Sequence, residues 1–216
     1  MKLLNSVGPN PRKVRMFLLE KGMELPQEDL DLLGGENRRP PYNERNPAGQ
    51  LPALELDDGS IVCETVAICE YLEEMHPEPA LIGTHARERA ETRMWLRRVE
   101  LNITEYGYAG YRFAEGLELF KDRMLCLPEA ADGLKRKSRA GLEWLAPQLA
   151  EREWICGDRF TLADIVLYCA LDFLHGVGQP MPETLSGLRA WFDRVQARPS
   201  AEASLSPGWE QIGMRL

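Results

Sequence analysis

The chain predicts a mixed architecture: a small α/β unit at the N-terminus, followed by an all-helical half. Three observations carry this. An alternating run from Leu51 to Leu56 returns through Asp57-Asp58-Gly59 to Ile61-Val62-Cys63, the pattern of a β-hairpin. Stripes of apolar residues at helical spacing flank that hairpin on both sides. After Cys63 no strand pattern recurs, while helical stripes continue toward the C-terminus. The 216 residues suffice for one large domain or two small ones. The expected division is a first domain over 1–77, a linker over 78–86 and a helical domain over 87–216.

Taken in order, Lys2 to Asn5 is a short strand, broken by Gly8-Pro9-Asn10-Pro11. Asn10 is a good N-cap, and Pro11 then falls at the first helical position, where its missing N–H costs nothing. The helix that follows carries Val14, Phe17 and Leu18 on one face and stops at Gly22. Leu25 to Leu32 reads as a second strand, polar enough to be an edge. Gly34 to Asn46 is rich in Gly, Pro, Arg and Asn, and reads as loop with at most a short helix. Pro52 stands at the very start of the hairpin, where a residue without an N–H is tolerated; by itself it reads as a trans proline opening an edge strand. Thr65 to Met75 is helical, with Val66, Cys69 and Leu72 in the buried stripe, and His76-Pro77-Glu78-Pro79 ends it.

In the second half, Arg87 to about Lys121 reads as one long helix with Trp95, Val99, Asn102 and Tyr106 along one side. Gly107 and Gly110 suggest a kink or a close approach within it. A second helix covers Arg123 to Glu151, with Pro128 and Gly133 roughening its start. Phe160 to His175 is apolar almost all round, as a central buried helix should be. Thr161 and Asp164 at its start form a Thr-x-x-Asp capping box, a structural device. Leu185 to Arg198 is a further helix, ended by Pro199.

Composition excludes several functions. Hydrophobic content of 44% and charged content of 28% are ordinary for a globular chain. A formal net charge of −8 argues against a nucleic-acid surface, which needs clustered Lys and Arg. The five cysteines are dispersed without a CxxC pair and the three histidines lie far apart, so no metal spacing occurs. An odd number of thiols in mostly apolar settings reads as free cysteines in a reducing compartment. The longest strongly apolar run, Ile165 to Leu171, cannot span a bilayer, and the first residues lack the apolar stretch of a signal peptide. A cytoplasmic location is expected.

Four segments, in order and at the right spacing, together resemble the soluble, cytosolic-type glutathione transferase family of bacteria. Met1-Lys2-Leu3-Leu4 with Pro9-Asn10-Pro11-Arg12-Lys13-Val14-Arg15 resembles the strand, loop and helix that open many members. Asn46-Pro47-Ala48-Gly49-Gln50-Leu51-Pro52-Ala53-Leu54 is similar to the family's N-P-x-G-x-V-P-x-L. Glu64-Thr65-Val66-Ala67-Ile68 is similar to its E-S-x-A-I. Gly157 to Asp164 resembles its G-x-x-F-T-x-A-D. The resemblance covers the whole chain and implies a thioredoxin-like N-terminal domain followed by an all-helical C-terminal domain. It implies glutathione as co-substrate with no metal, and a homodimer.

The resemblance also implies roles for single residues. The Leu51–Pro52 bond becomes cis, and the Leu51 backbone pairs with the cysteinyl part of glutathione. Thr65 and the helix start behind it suit the γ-glutamyl carboxylate, because a helix N-terminus offers free N–H groups and a positive dipole end; Glu64 accepts from the γ-glutamyl amine. Without the resemblance, Thr65 is an ordinary cap and Glu64 a complement to the dipole. Gln50 can reach the glycyl carboxylate. Arg38 and Arg39 read as solvated surface charges rather than ligands of that group.

Catalysis in the family needs the glutathione thiol ionised; a free thiol has a pKa near ~8.5, lowered by a positive helix end and a hydrogen-bond donor. Many members use a Tyr near the end of the first strand, where this chain has Leu4-Asn5-Ser6. Others use Ser or Thr before the first helix, where Gly8 stands. The V-G-A-C-S of the beta class aligns with Val7 to Pro11 and puts Asn10 at its Cys. In members that resemble yeast prion-domain proteins and carry T-P-N, Asn10 matches the Asn and Gly8 replaces the Thr. Asn10 is therefore the first candidate donor and Ser6 the second. Tyr106 and Tyr111, from the aromatic cluster that also holds Tyr108 and Phe113, are the candidates for an apolar second-substrate pocket.

The expected reaction is attack of the glutathione thiolate on a hydrophobic electrophile, a peroxide or a mixed disulfide. One alternative is a non-catalytic glutathione- or ligand-binding module of the same fold. Another is a glutathione-dependent isomerase, whose S-S-C-S motif is replaced here by Val7-Gly8-Pro9-Asn10.

Overall fold

The computed structural model describes residues 1–207, 209 and 215. Its N-terminal part runs β1 (Lys2–Asn5), α1 (Pro9–Lys21), β2 (Gln27–Asp29), α2 (Tyr42–Arg45), β3 (Ala53–Glu55), β4 (Ile61–Cys63) and α3 (Thr65–Met75). The strands form one sheet in the order β2-β1-β3-β4. β1 and β2 are parallel, joined through the crossover helix that a parallel pair requires, and β3 is antiparallel to both β1 and β4. Strand alternation sends Leu3 and Leu54 into the main core with Val14, Phe17, Ile68 and Leu72 of α1 and α3. Leu4 and Ala53 belong to a second cluster with Leu30, Tyr42 and Leu51. Both faces are covered, which is why β1 reads Leu-Leu instead of alternating with polar residues.

Two boundaries in this N-terminal part differ from the sequence expectation. Asn10 is not the cap of α1 but its second residue; the cap is Gly8, at φ 127° and ψ 162°. Such a positive φ is open to glycine and closed to most other residues, so the chain turns at once after β1 and Pro9, not Pro11, takes the first helical position. β2 shrinks to three exposed residues, Gln27–Asp29, because only one short side of it pairs with β1.

The helical half contains α4 (Ala86–Val99), α5 (Glu105–Arg112), α6 (Leu117–Phe120), α7 (Ala131–Ala150), α8 (Leu162–Gly176), α9 (Ser186–Gln196) and α10 (Pro199–Ala203). The long helix expected from Arg87 to Lys121 is interrupted by a π turn over Glu100–Thr104 and ends at Arg112. At this turn α4 and α7 approach until a side chain at Gly141 would meet the Asn102 carbonyl at 2.3 Å. The glycine at 107 answers to packing in the same way: a Cβ there would lie 2.6 Å from Leu174. Its close neighbour is α8, not a ligand. α8 is the central helix, with thirteen of its fifteen residues buried. No ladder strand follows Cys63 among the described residues, only isolated bridges within the loop between Trp154 and Arg159.

α1 joins the two halves through charges that it buries. The fully buried Arg12 donates to Asp172 of α8 (2.7 Å) and to the carbonyl of Ala201 in α10 (2.9 Å). Arg15 donates to Asn5 at 2.7 Å and to the Ser204 carbonyl at 2.9 Å. Lys21 pairs with Glu73 of α3 at 2.7 Å, and Glu73 also accepts the Leu81 and Ile82 amides beyond the linker proline. Each of these buried ions has a partner of opposite charge or a set of hydrogen bonds, which burial demands.

Candidate functional site

Three chain segments end at one cleft: the start of α1, the turn into β3 and the start of α3. The cleft holds a cavity of about 310 Å³, lined among others by Asn10, Gln50, Leu51, Pro52, Glu64 and Thr65. A smaller one of about 100 Å³ adjoins it and is walled by Tyr108, Tyr111, Phe120 and Phe173. Asn10, Leu51 and Arg112 line both.

The turn into β3 is held from behind. Tyr42 Oη and Asn46 Nδ2 both donate to the Gln50 carbonyl, at 2.5 and 2.9 Å. Asn37 Nδ2 donates to the Gly49 carbonyl at 2.6 Å. With the loop fixed, the Leu51 side chain enters the second core cluster and the Leu51–Pro52 peptide is cis. The Leu51 amide and carbonyl take no hydrogen bond from the described residues. A backbone pair left open beside a cavity is the equipment for pairing with an extended peptide. Sequence reasoning passed over Tyr42, Asn37 and Asn46; the Asn at the head of Asn46-Pro47-Ala48-Gly49 was the available signal.

At α3 the helix cap is Glu64, with φ 70° and ψ 124°. Among the described residues it is the one non-glycine with positive φ. No side chain caps the first turn of this helix, and the Glu64 side chain is exposed. The N-terminal amides and the positive end of the helix dipole therefore open onto the larger cavity. A strained backbone at an uncapped helix start fits a site kept for an anion rather than for stability.

At α1 the decisive contact is Lys13 Nζ donating to Asn10 Oδ1 at 2.8 Å. An ammonium only donates, so this bond fixes the orientation of the Asn10 amide: oxygen to Lys13, NH₂ away from it. The NH₂ group has no partner among the described residues. Lys13 is only 5% exposed, lies 5.0 Å from the centre of the Tyr108 ring, and has its pKa lowered chiefly by burial. α1 thus presents its dipole end, an oriented amide donor and a nearby buried cation.

Two expected residues fall elsewhere. Ser6 is buried, and its hydroxyl donates to the Leu30 carbonyl at 2.8 Å, which stitches β1 to the segment after β2. It lines neither cavity of the cleft. Tyr106 accepts from Lys137 at 3.1 Å and lines a separate groove with Lys137 and Trp144. Helical phase explains this: at about 100° per residue, Tyr106 stands roughly 200° from Tyr108, while Tyr111 shares the Tyr108 face. Tyr111 packs edge-on against Phe173 at 5.1 Å. Tyr108, not singled out in the sequence, is 4% exposed with its hydroxyl unpartnered among the described residues. Burial holds its phenol pKa well above the ordinary value, so it remains a neutral hydroxyl. Arg38 lines both cavities, whereas Arg39 donates to the Gly34 carbonyl outside them.

Among the described residues there is no group of three His, Cys, Asp or Glu able to hold a metal ion, and no helix long and apolar enough to cross a membrane.

Comparison with known proteins shows the family. Residues 7–75 match the family described as glutathione S-transferase, N-terminal domain, and residues 128–194 match glutathione S-transferase, C-terminal domain. The chain is 32% identical over 207 residues to glutathione S-transferase 2 of Saccharomyces cerevisiae, covering 92% of this chain and 86% of that one. The crystal structure of Gtt2 from the same yeast superposes with a TM-score of 0.88 at 31% identity, covering 95% of this chain and all (100%) of the other. A glutathione S-transferase domain-containing protein of Marinobacter aquaeolei gives a TM-score of 0.87 at 35% identity, with coverage of 93% and 100%.

Proposed function

The chain belongs to the glutathione S-transferase family, with a thioredoxin-like N-terminal part and a helical C-terminal part, and from that premise we propose how its cleft works. Glutathione lies across the larger cavity. Its γ-glutamyl carboxylate takes Thr65 and the free amides of α3, and its amine takes Glu64. Its cysteinyl backbone pairs with Leu51, and its glycyl carboxylate reaches Gln50 and Arg38. The sulfur comes to Asn10 Nδ2 at the start of α1. There the oriented amide, the helix dipole and the charge of Lys13 favour the thiolate over the thiol. The thiolate then attacks an electrophile held among Tyr108, Tyr111 and Phe173.

One observation carries this reading: an open backbone pair, an uncapped helix start and an oriented amide donor face the same cavity. Retention on immobilised glutathione, followed by assays with chlorodinitrobenzene, cumene hydroperoxide and hydroxyethyl disulfide, tests it. Retention with turnover of any of the three supports the enzyme. Retention without turnover supports a binding module, a reading favoured by the engagement of the Ser6 hydroxyl with the Leu30 carbonyl, which takes it away from the start of α1. No retention overturns the glutathione site itself. A cytoplasmic homodimer completes the proposal on the strength of the family resemblance; a subunit-sized species in sedimentation equilibrium contradicts it.

A further inference from the structure

The smaller cavity is aromatic, but it is not neutral. Among the described residues that line it there is no Asp or Glu, while Arg38, Arg112 and Arg123 all do. This is a local excess of positive charge in a chain of formal charge −8. The three arginines are not equivalent. Arg123 is tied down, donating to the Leu32 and Leu33 carbonyls at 2.9 and 2.8 Å. Arg38 stands beside Gln50 on the side assigned to the glycyl carboxylate. The Arg112 guanidinium makes no hydrogen bond and no ion pair among the described residues; its backbone carbonyl accepts from the Cys126 thiol at 3.9 Å. Its guanidinium lies 5.9 Å from the Tyr108 ring centre and 5.7 Å from that of Phe120, which orients it without neutralising it. A half-buried guanidinium held by two rings at the junction of two cavities makes no ion pair among the described residues, although Glu64 and Glu105 line the larger cavity with it. Tyr108, whose buried hydroxyl is also unpartnered among the described residues, lines the same cavity. Cation, donor and flat aromatic walls make a receptor for a planar acid.

We propose that the second substrate is an aryl electrophile carrying a carboxylate, and that Arg112, seconded by the Tyr108 hydroxyl, binds that carboxylate. The inference rests on the glutathione site described above. Both carboxylates of glutathione already have places there, at α3 and at Gln50 with Arg38, which leaves Arg112 for the partner. In the reaction, the glutathione thiol loses its proton to solvent. The thiolate sulfur forms a bond to the ring carbon bearing the halide, and the carbon–halogen bond breaks with its electron pair leaving as halide. The carboxylate stays intact and serves only for recognition.

The test compares three chloronitroaryl substrates of matched reactivity: a chlorodinitrobenzoate, the corresponding chlorodinitrobenzamide and chlorodinitrobenzene. The expected kcat/KM for the acid exceeds that for the amide by about ten-fold, the worth of one partly desolvated charged hydrogen bond. In Arg112→Met the ratio of acid to amide should fall toward unity through KM, and Arg112→Lys should restore part of it. Turnover of all three at equal efficiency overturns the inference while leaving the glutathione site standing. So does an unchanged acid-to-amide ratio in Arg112→Met. If none is turned over, calorimetry of the S-methylglutathione complex with dinitrobenzoate and dinitrobenzamide decides. Tighter binding of the acid upholds the inference and equal binding overturns it. A failure of S-methylglutathione to bind instead removes the glutathione site, and the inference with it.

Discussion

Two helix starts in this molecule look alike in sequence and are opposite in construction. α8 begins with Thr161 and Asp164, α3 with Glu64 and Thr65. At α8 the Asp164 carboxylate accepts from the Ile155 and Thr161 amides at 2.9 Å each, from the Trp191 indole at 2.8 Å and from the Thr161 hydroxyl at 3.2 Å. Every donor in that buried corner is satisfied from within the chain. At α3 no side chain caps the first turn, the cap residue is strained and its carboxylate is exposed. Polar groups that close on themselves hold the fold together. Polar groups at a helix start that stay open beside a cavity are available to a ligand.

The contrast can be broken by mutation. Asp164→Ala leaves three buried donors, the Ile155 and Thr161 amides and the Trp191 indole, without an acceptor and should cost at least ~3 kcal/mol of stability, read as a lowered urea midpoint. An unchanged midpoint would show that the α8 corner is no more structural than the α3 one. Thr65→Val should do the reverse: glutathione affinity falls about ten-fold, some 1.4 kcal/mol, while the melting temperature stays put. Calorimetric titration with glutathione reads the first and thermal unfolding the second. Asn10→Ala should raise the pKa of bound glutathione's thiol by about one unit, since it removes the oriented donor and leaves Lys13 and the dipole. Thiolate absorbance against pH measures that, and an unmoved titration removes Asn10 from the mechanism. The smallest and sharpest effect is expected of Glu64→Gly. Glycine accepts the positive φ, so stability should rise by roughly 0.5–1 kcal/mol while glutathione binding weakens. Gain in stability with loss of binding is the signature of strain retained for function.

What the sequence made readable follows from how local each signal is. The hairpin, the α8 capping box and the buried α8 depend on residues a few positions apart, and all three occur where they were expected. Gln50, Leu51, Pro52, Glu64 and Thr65, the residues proposed to face glutathione, came with the family motifs, and the structure gathers them on one cavity. The misplaced features depend on distant partners. The π turn at 100–104 answers to Gly141 on another helix. The engagement of Ser6 answers to Leu30, across the sheet edge. Asn10 moved from cap to second helical residue because the backbone at Gly8 turns early, and that shift places Lys13 one helical turn beyond it. Only the choice of Tyr106 over Tyr108 was recoverable locally, since helical phase puts Tyr108 and not Tyr106 on the face of Tyr111.

The buried Arg12 has a bearing on the order of events as the chain leaves the ribosome. It lies in the first helix, yet the groups that receive its guanidinium, Asp172, the Ala201 carbonyl and the Ser204 hydroxyl, are made last. Until they emerge, the nascent glutathione-binding half must either hold a bare cation in a closing core or keep that core open to water. The first alternative is costly, so the closure of the N-terminal core around Arg12 is tied to the arrival of α8 and α10.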